Sequence, residues 1–452
     1  MQSTEPPIRP IPPGTVAPLS LAQEQLWRHT LETSIPLYNE SITLHRNGAL
    51  DVEVLKRSMA EIIRRHEIWR TSYRLIDGSP SQLVHAAPSA FPLRRVDLRD
   101  ELDQNRETLA LRLASEDARR PFDLSSGPLL RGLLIQMGDE AYRLAITAHL
   151  SIVDGLSVYQ VLPRELSMLY NAYIAGQPSL LPEITIQYRD FAWWQRTWLI
   201  HQEMERQLEY WRKQLAGELP VLNWPQVSRP AICTFRGATH SCTFPVNILT
   251  GARKLCHSAR TTLFIVLDAA FIALLFHYTG QKEIILGTFS PAGRKRSEAQ
   301  PLLGHFLNPV PLRIDLSGDP PFYELLKRIR IVMSDAISHD DVPLELLARE
   351  LLPEIDQSRN PFFTVGVSLQ PRSPSTDLGW NVTSMDAQSG GAIWDLYLAF
   401  IERPHELLGR IQYNSDLFDL ATINRLVRDF AALLARALMH PEQRISQMRS
   451  DS

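Results

Sequence analysis

The sequence predicts a mixed α/β protein with more than one core. Its 452 residues exceed the roughly 250–300 at which a single core stops growing. Segments of strand period alternate with segments of helical spacing, and the second half repeats the theme of the first.

In chain order, residues 1–18 read as an extended linker, with Pro6, Pro7, Pro10, Pro12, Pro13 and Pro18 and no amphipathic period. Ser20 opens a capped amphipathic helix. Asp51 caps a stronger one, whose Leu55, Met59, Ile62 and Ile63 fall on one face. It runs into Arg65-His66-Glu67-Ile68-Trp69-Arg70, mixed charges that read as ion pairs flanking a buried aromatic. Leu133-Leu134-Ile135 joins through Gly138-Asp139, a hairpin turn signal, to a strand in which Tyr142, Leu144, Ile146 and Ala148 alternate with Arg143, Ala145, Thr147 and His149. Leu156 to Tyr173 reads as helical and ends near Gly176, with Pro163 forcing a kink or restart.

Residues 19–180 form the first lobe in this reading, 181–445 the second and 446–452 a tail. The second lobe takes a helix from about Trp198 to Leu215, then a connection punctuated by Pro220, Pro225 and Pro230. Two helical stretches follow from Leu255 to Tyr278, then a buried strand, Glu283 to Gly287. Gly287 to Arg294 reads as a Gly/Pro-punctuated loop. Ile411 to Phe418 is the last strand and turn. Asp419 caps a closing helix with Ile423, Leu426, Val427, Phe430, Leu433 and Leu434 on one face.

The net charge of −3 gives no reason to expect nucleic acid or an anionic membrane as partner. The longest apolar run, Leu263 to Phe276, is interrupted by Asp268 and too short to span a bilayer. No charged-then-apolar leader opens the chain, so secretion is not expected. Cys233, Cys242 and Cys256 cannot all pair, which fits a reducing cytoplasm. No residue spacing suggests a metal site or a Gly-rich phosphate loop.

The stretch His149-Leu150-Ser151-Ile152-Val153-Asp154-Gly155 sits where a strand hands over to a helix. There a side chain can project into a cleft and helix-end N–H groups can meet developing negative charge. By itself, one His, one Asp and one Gly at a strand end also describe a packing and turn device. The stretch resembles the His-His-x-x-x-Asp-Gly motif of nonribosomal peptide synthetase condensation domains, members of the chloramphenicol acetyltransferase-like superfamily. Further resemblances follow in order. They are Ser20 to Trp27, Arg65 to Tyr73, Pro121 to Arg131, Tyr188 to Trp194, Leu303 to Asn308 (with Pro309 where Thr is usual), His339 to Glu345 and Ser358 to Phe363.

The resemblance implies two chloramphenicol acetyltransferase-like lobes in a V with a central tunnel. Donor and acceptor carrier proteins would bring phosphopantetheine arms, and the domain would hold no cofactor of its own. His149, Asp154 and Gly155 match the motif. Ser157 and Asn308 stand where the family lines its tunnel. Asp154 would pair with Arg294 across the two lobes. Leu150 stands where the family's second, reactive His belongs, so whether the chain is an enzyme stays open.

An imidazole there accepts a proton or holds the amine; Leu150 can do neither, and general acid–base groups supply typically ~10²–10⁴-fold. Three readings follow. One is a platform that binds carrier-tethered intermediates for a tailoring enzyme or passes them on without elongation. Another is a condensation domain that works by substrate positioning. The last is different acyl chemistry, such as ester formation, dehydration or cyclisation, although the Asp-x-x-x-x-Asp motif of cyclising relatives is absent.

Overall fold

The computed structural model describes residues 6–12, 14–224, 228–372, 379–382 and 387–448. Pro13, Pro225 and tail residues 449–452 lie outside that set. The chain forms two compact units. The first takes residues 1–201 together with 293–307 and 371–391, and the second takes the remainder.

The first unit opens with β1 (Ala17–Pro18), α1 (Leu21–Glu32), β2 (Asn39–Asn47) and α2 (Val52–Arg65). The helices start where capping side chains permit. Ser20 and Gln23 form a reciprocal capping box on α1, and Asp51 Oδ1 accepts from the N–H groups of Glu53 and Val54 on α2. Next come β3 (Thr71–Ile76), β4 (Ser79–Val84), β5 (Leu93–Asp97), α3 (Asp103–Ala118), β6 (Leu130–Gly138) and β7 (Ala141–His149).

Strands β6 and β7 make the expected antiparallel hairpin, and the sheet runs Asn381–Val382, β2, β7, β6, β5. Alternation sends Leu133 and Ile135 to one face, where Ala110, Ala114 and Ala118 of α3 pack close. Leu134, Leu144 and Ile146 face the main core with Trp69, Tyr73, Leu166 and Tyr170.

After β7 a short 3₁₀ turn (Leu150–Ile152) leads to a π-helical turn (Ser157–Val161) and α4 (Leu162–Ile174). Pro163 falls at the start of α4 directly after the π-helical turn, so the expected break in the helix is a change of helical pairing just ahead of it. The expected helix from about Trp198 to Leu215 is present as the second of two consecutive helices. These are α5 (Tyr188–Trp198) and α6 (His201–Gln214), broken at Leu199 and Ile200, with His201 at φ 40°.

The described part of the proline-rich stretch is extended but anchored. Ile8 and Ile11 are buried, Trp194 Nε1 donates to the Pro6 carbonyl at 2.7 Å, and Ile11 N–H donates to Asp190 Oδ1 at 3.0 Å.

The second unit holds α6, β8 (Gly237–Phe244), α7 (Val246–Ala259), α8 (Leu263–Thr279) and β9 (Glu283–Ser290). Then come β10 (Asn308–Asp315), α9 (Phe322–Ile337), α10 (Leu344–Leu351), β11 (Val365–Gln370), β12 (Leu396–Glu402), β13 (Leu407–Asn414) and α11 (Leu420–Met439). Its sheet runs β10, β9, β11, β12, β13, β8.

Strand β9 continues to Ser290 through residues expected in a loop, pairing with β10 despite Pro309 and Pro311. The two prolines are two apart and β10 is the sheet edge, so both missing N–H groups fall on the unpaired side. Helix α8 is the centre of this core, buried continuously from Ile265 to Leu275. Among the described residues no single helix is long and apolar enough to cross a membrane.

Candidate functional site

At the end of β7 the chain is short of regular partners, and side chains supply them. His149 is 1% exposed. The N–H of Ser151 and its hydroxyl reach Nδ1 at 3.3 and 2.7 Å, so Nδ1 is the acceptor and Nε2 carries the proton. Nε2 then donates to Thr30 Oγ1 at 3.1 Å, whose hydroxyl donates to the Leu26 carbonyl at 2.7 Å. Tyr73 donates to Ser151 Oγ at 2.9 Å, and Gln23 donates to Tyr73 at 3.0 Å.

Tyr38 and Phe122 meet the His149 ring edge-on. Burial, with the charge of His305 second, pushes the imidazole down to about 3. His149 is thus a neutral ring with both nitrogens spent on α1 and the 3₁₀ turn.

That state sets a pH dependence. An unfolded imidazole takes a proton near pH 6.5 and the folded one only near 3, so stability falls as pH falls between these values. The loss approaches about 4–5 kcal/mol at the acid end. Denaturant unfolding at pH 7 and pH 5 checks it: His149→Gln is expected to lose less stability over that interval than the parent.

Leu150 opens the 3₁₀ turn and donates its N–H to the Tyr38 carbonyl at 2.7 Å. From His149 to Asp154 it is the one residue that is not buried, so its side chain is the part of the stretch that solvent reaches. Gly155, half-buried, begins the helical turn that follows.

Asp154 has no side-chain exposure, and Arg294 faces it. Arg294 Nε lies 2.8 Å from Oδ2 and Nη2 lies 2.8 Å from Oδ1, a two-point pairing. The Ser157 N–H and hydroxyl also reach Oδ1, at 2.8 and 2.9 Å, and Phe306 N–H reaches Oδ2 at 3.2 Å. Burial works to raise this carboxyl, but the Arg294 guanidinium and the Ser157 hydrogen bonds outweigh it and hold it below the usual carboxylate range. With these donors in place, no lone pair is left to take a proton from a substrate.

Arg294 is satisfied too. Nη1 donates to the Ala299 and Leu302 carbonyls at 2.6 and 2.7 Å, and the guanidinium stacks on Phe306 at 4.2 Å. The resemblance implies a pair between two lobes. Here both partners lie in the first unit, because residues 293–307 fold into it although strands of the second unit flank them in sequence.

The remaining candidates are equally occupied. Ser157 is fully buried, and Gly304 N–H donates to its Oγ at 3.1 Å. Asn308, in the second unit, is 5% exposed and spends its amide N–H groups on the Asp340 and Val342 carbonyls at 2.8 and 2.7 Å.

Arg65 and His66, expected in ion pairs beside a buried aromatic, hold the same segment together with Glu165, which sequence reasoning left out. Leu303 N–H donates to His66 Nδ1 at 3.2 Å, so His66 Nε2 donates to Glu165 at 3.0 Å. Arg65 reaches that carboxylate from 3.3 Å, and together they outweigh the upward push of burial and hold Glu165 below its usual range. His305 Nδ1 donates to the Val153 carbonyl at 3.1 Å. Tyr188 donates to the His305 carbonyl at 2.5 Å. Thr30, Ser151 and Tyr73 were not singled out as site residues: Ser151 lies inside the motif stretch and Tyr73 closes another resembling segment, but only the fold brings Thr30 to His149 and Tyr73 to Ser151.

The condensation domain family model matches residues 14–452. A linear gramicidin synthase of Brevibacillus parabrevis is 39% identical over 449 residues, covering 97% of this chain and 6% of that protein. The chain thus spans a small fraction of that relative's length. The X-domain from teicoplanin biosynthesis superimposes with a TM-score of 0.83 at 26% identity, covering 98% of this chain and 99% of that one. The same domain in complex with OxyB gives 0.82 at 25%, covering 99% of each. A stretch in the position and order of the motif, a mixed α/β fold in two units and a family match across almost the whole length lead to one statement: the chain belongs to the condensation domain family, with the chloramphenicol acetyltransferase-like fold.

Proposed function

We propose that this domain belongs to a nonribosomal peptide synthetase or hybrid assembly line and receives carrier-protein-tethered acyl or aminoacyl intermediates. In this reading it does not form amides at ordinary rates, and it serves as a platform for a tailoring enzyme or for transfer without elongation. One observation carries it: Leu150 occupies the reactive position while every other polar group of the stretch is intact and internally satisfied. Amide formation takes a proton from the attacking amine as its nitrogen bonds to the thioester carbon and the thiolate leaves. Leu150 has no atom for that proton, and His149 and Asp154 have theirs committed. The phosphopantetheine arms of the carriers would be the only cofactor involved.

The relative solved in complex with OxyB supports the platform half of this reading, since there a domain of this fold binds a second protein. The competing reading is an active condensation domain that relies on positioning. The 39% identity to a linear gramicidin synthase favours it. Presenting acyl- and aminoacyl-loaded carrier proteins and analysing products by mass spectrometry separates the two. The platform reading expects unextended intermediates, and amide at ordinary rates would overturn it.

A further inference from the structure

The end of α3 gathers positive charge that the fold does not neutralise. Arg119 and Arg120 follow its last turn, Arg94 reaches it from β5, and Arg131 reaches it from β6. Among the described residues Asp117 is the one carboxylate paired with these four. Arg94 Nη1 lies 3.5 Å and Arg120 Nη2 2.8 Å from the same oxygen, Oδ1. The Asp117 side chain is 5% exposed, against 49% for Arg94 and 58% for Arg120, so the carboxylate lies beneath and the guanidiniums lie outside.

Part of this charge serves the helix itself. Arg131 donates to the Asp117 and Arg120 carbonyls at 2.8 and 2.5 Å and stacks on Phe122 at 3.9 Å, completing the helix C-terminus. Burial, then the neighbouring Arg120, pushes its guanidinium down to about 10. Helix capping does not account for Arg94 or for Arg119, which is exposed and has no ion pair among the described residues. On a chain of net charge −3 the cluster runs against the average.

We propose that this arginine cluster is a docking surface for a partner protein presenting consecutive carboxylates; the inference rests on the platform reading and names the surface its tailoring enzyme would use. Guanidinium forks match carboxylates two-pointed, and a local concentration of one sign steers an oppositely charged partner while rejecting a like one. Phe122 links the cluster to the candidate site, stacking on Arg131 and meeting His149 edge-on at 6.5 Å. A partner seated here would lie beside the end of β7.

A fluorescein-labelled oligoglutamate peptide titrated into the whole chain tests the surface. The expected result is saturable binding that weakens at least ~10-fold at about 0.3 M salt, where screening is short-ranged. The double variant Arg94→Gln with Arg119→Gln should weaken it to a similar degree with unchanged melting. Should that variant lose structure, Arg119→Glu alone carries the test, because Arg119 is exposed and has no ion pair among the described residues. Absence of saturation, unchanged affinity in the variants, or equal binding of a short DNA duplex through the same arginines would overturn the assignment. None of these results would touch the platform reading. Amide formation by the chain would remove that reading, and this surface with it.

Discussion

Asp154→Ala is expected to destabilise the first unit by about 3–5 kcal/mol, the cost of leaving one partner of a buried ion pair uncompensated. The orphan would be Arg294, whose side chain is 5% exposed and whose Nε and Nη2 would lose their carboxylate acceptors, leaving Nη2 the Ser157 hydroxyl. The N–H groups of Ser157 and Phe306 would lose theirs as well. For a unit of this size the melting temperature should fall by on the order of 10 °C. Asp154→Asn keeps the shape and part of the hydrogen bonding but removes the charge, and it should fall between. Because the Asp154 carboxyl is held below its unfolded value, its contribution is fully present above the unfolded pKa and is lost as pH falls through the folded one. An unchanged melting temperature for Asp154→Ala would contradict this account of the pair.

Asp268→Leu is expected to stabilise the second unit. Asp268 sits in α8 with no exposure, and neither carboxyl oxygen has a hydrogen-bond partner among the described residues. Burial alone raises this carboxyl well above the ordinary range, so it is held neutral in the folded state. Removing a buried, unsatisfied polar group of this kind recovers about 1–3 kcal/mol. The linkage adds to this. Unfolded Asp ionises near pH 4 while the folded group does not, so the parent loses up to about 1.4 kcal/mol of stability per pH unit until the folded group also titrates. The advantage of Leu should therefore grow as pH rises. Urea unfolding of both proteins at pH 5 and pH 8 checks it. A Leu variant less stable than the parent, or a gap that ignores pH, would show that Asp268 is satisfied by a route this geometry does not contain.

How much of this was legible in the sequence depends on how local each signal is. The β6–β7 hairpin was readable because Tyr142 to His149 alternate strictly and Gly138-Asp139 turns the chain. Ser20, Asp51 and Asp419 announced their helices because a cap is one side chain acting on the next turn. Helix α5 was not recognised, since the aromatic run Phe191 to Trp194 hides the helical spacing of its buried Tyr188, Phe191, Ala192 and Trp194. The second half of β9 was missed because its partner β10 carries two prolines, which read as punctuation until the sheet edge is known.

In the candidate site, the resemblance drew attention to His149, Asp154 and Arg294. What it could not supply was the state of their atoms. That His149 is locked by Thr30 and Ser151, and that Arg294 belongs to the same unit as Asp154, depends on contacts between residues far apart in the chain. Asp268 was visible only as an interruption in an apolar run. Its lack of a partner is a fact of packing.

In the proposed function, Leu150 is what would keep this domain from standard condensation. The direct measurement is the rate of amide formation between acyl- and aminoacyl-loaded carrier proteins, by mass spectrometry, for the parent and for Leu150→His. Leu150 is half-buried and opens a 3₁₀ turn held by its backbone N–H, so an imidazole can be placed there without disturbing the His149 network. The account predicts little amide from the parent and at least ~10-fold more from Leu150→His, a conservative part of a general-base effect. Ordinary amide formation by the parent, unchanged in Leu150→His, would contradict it.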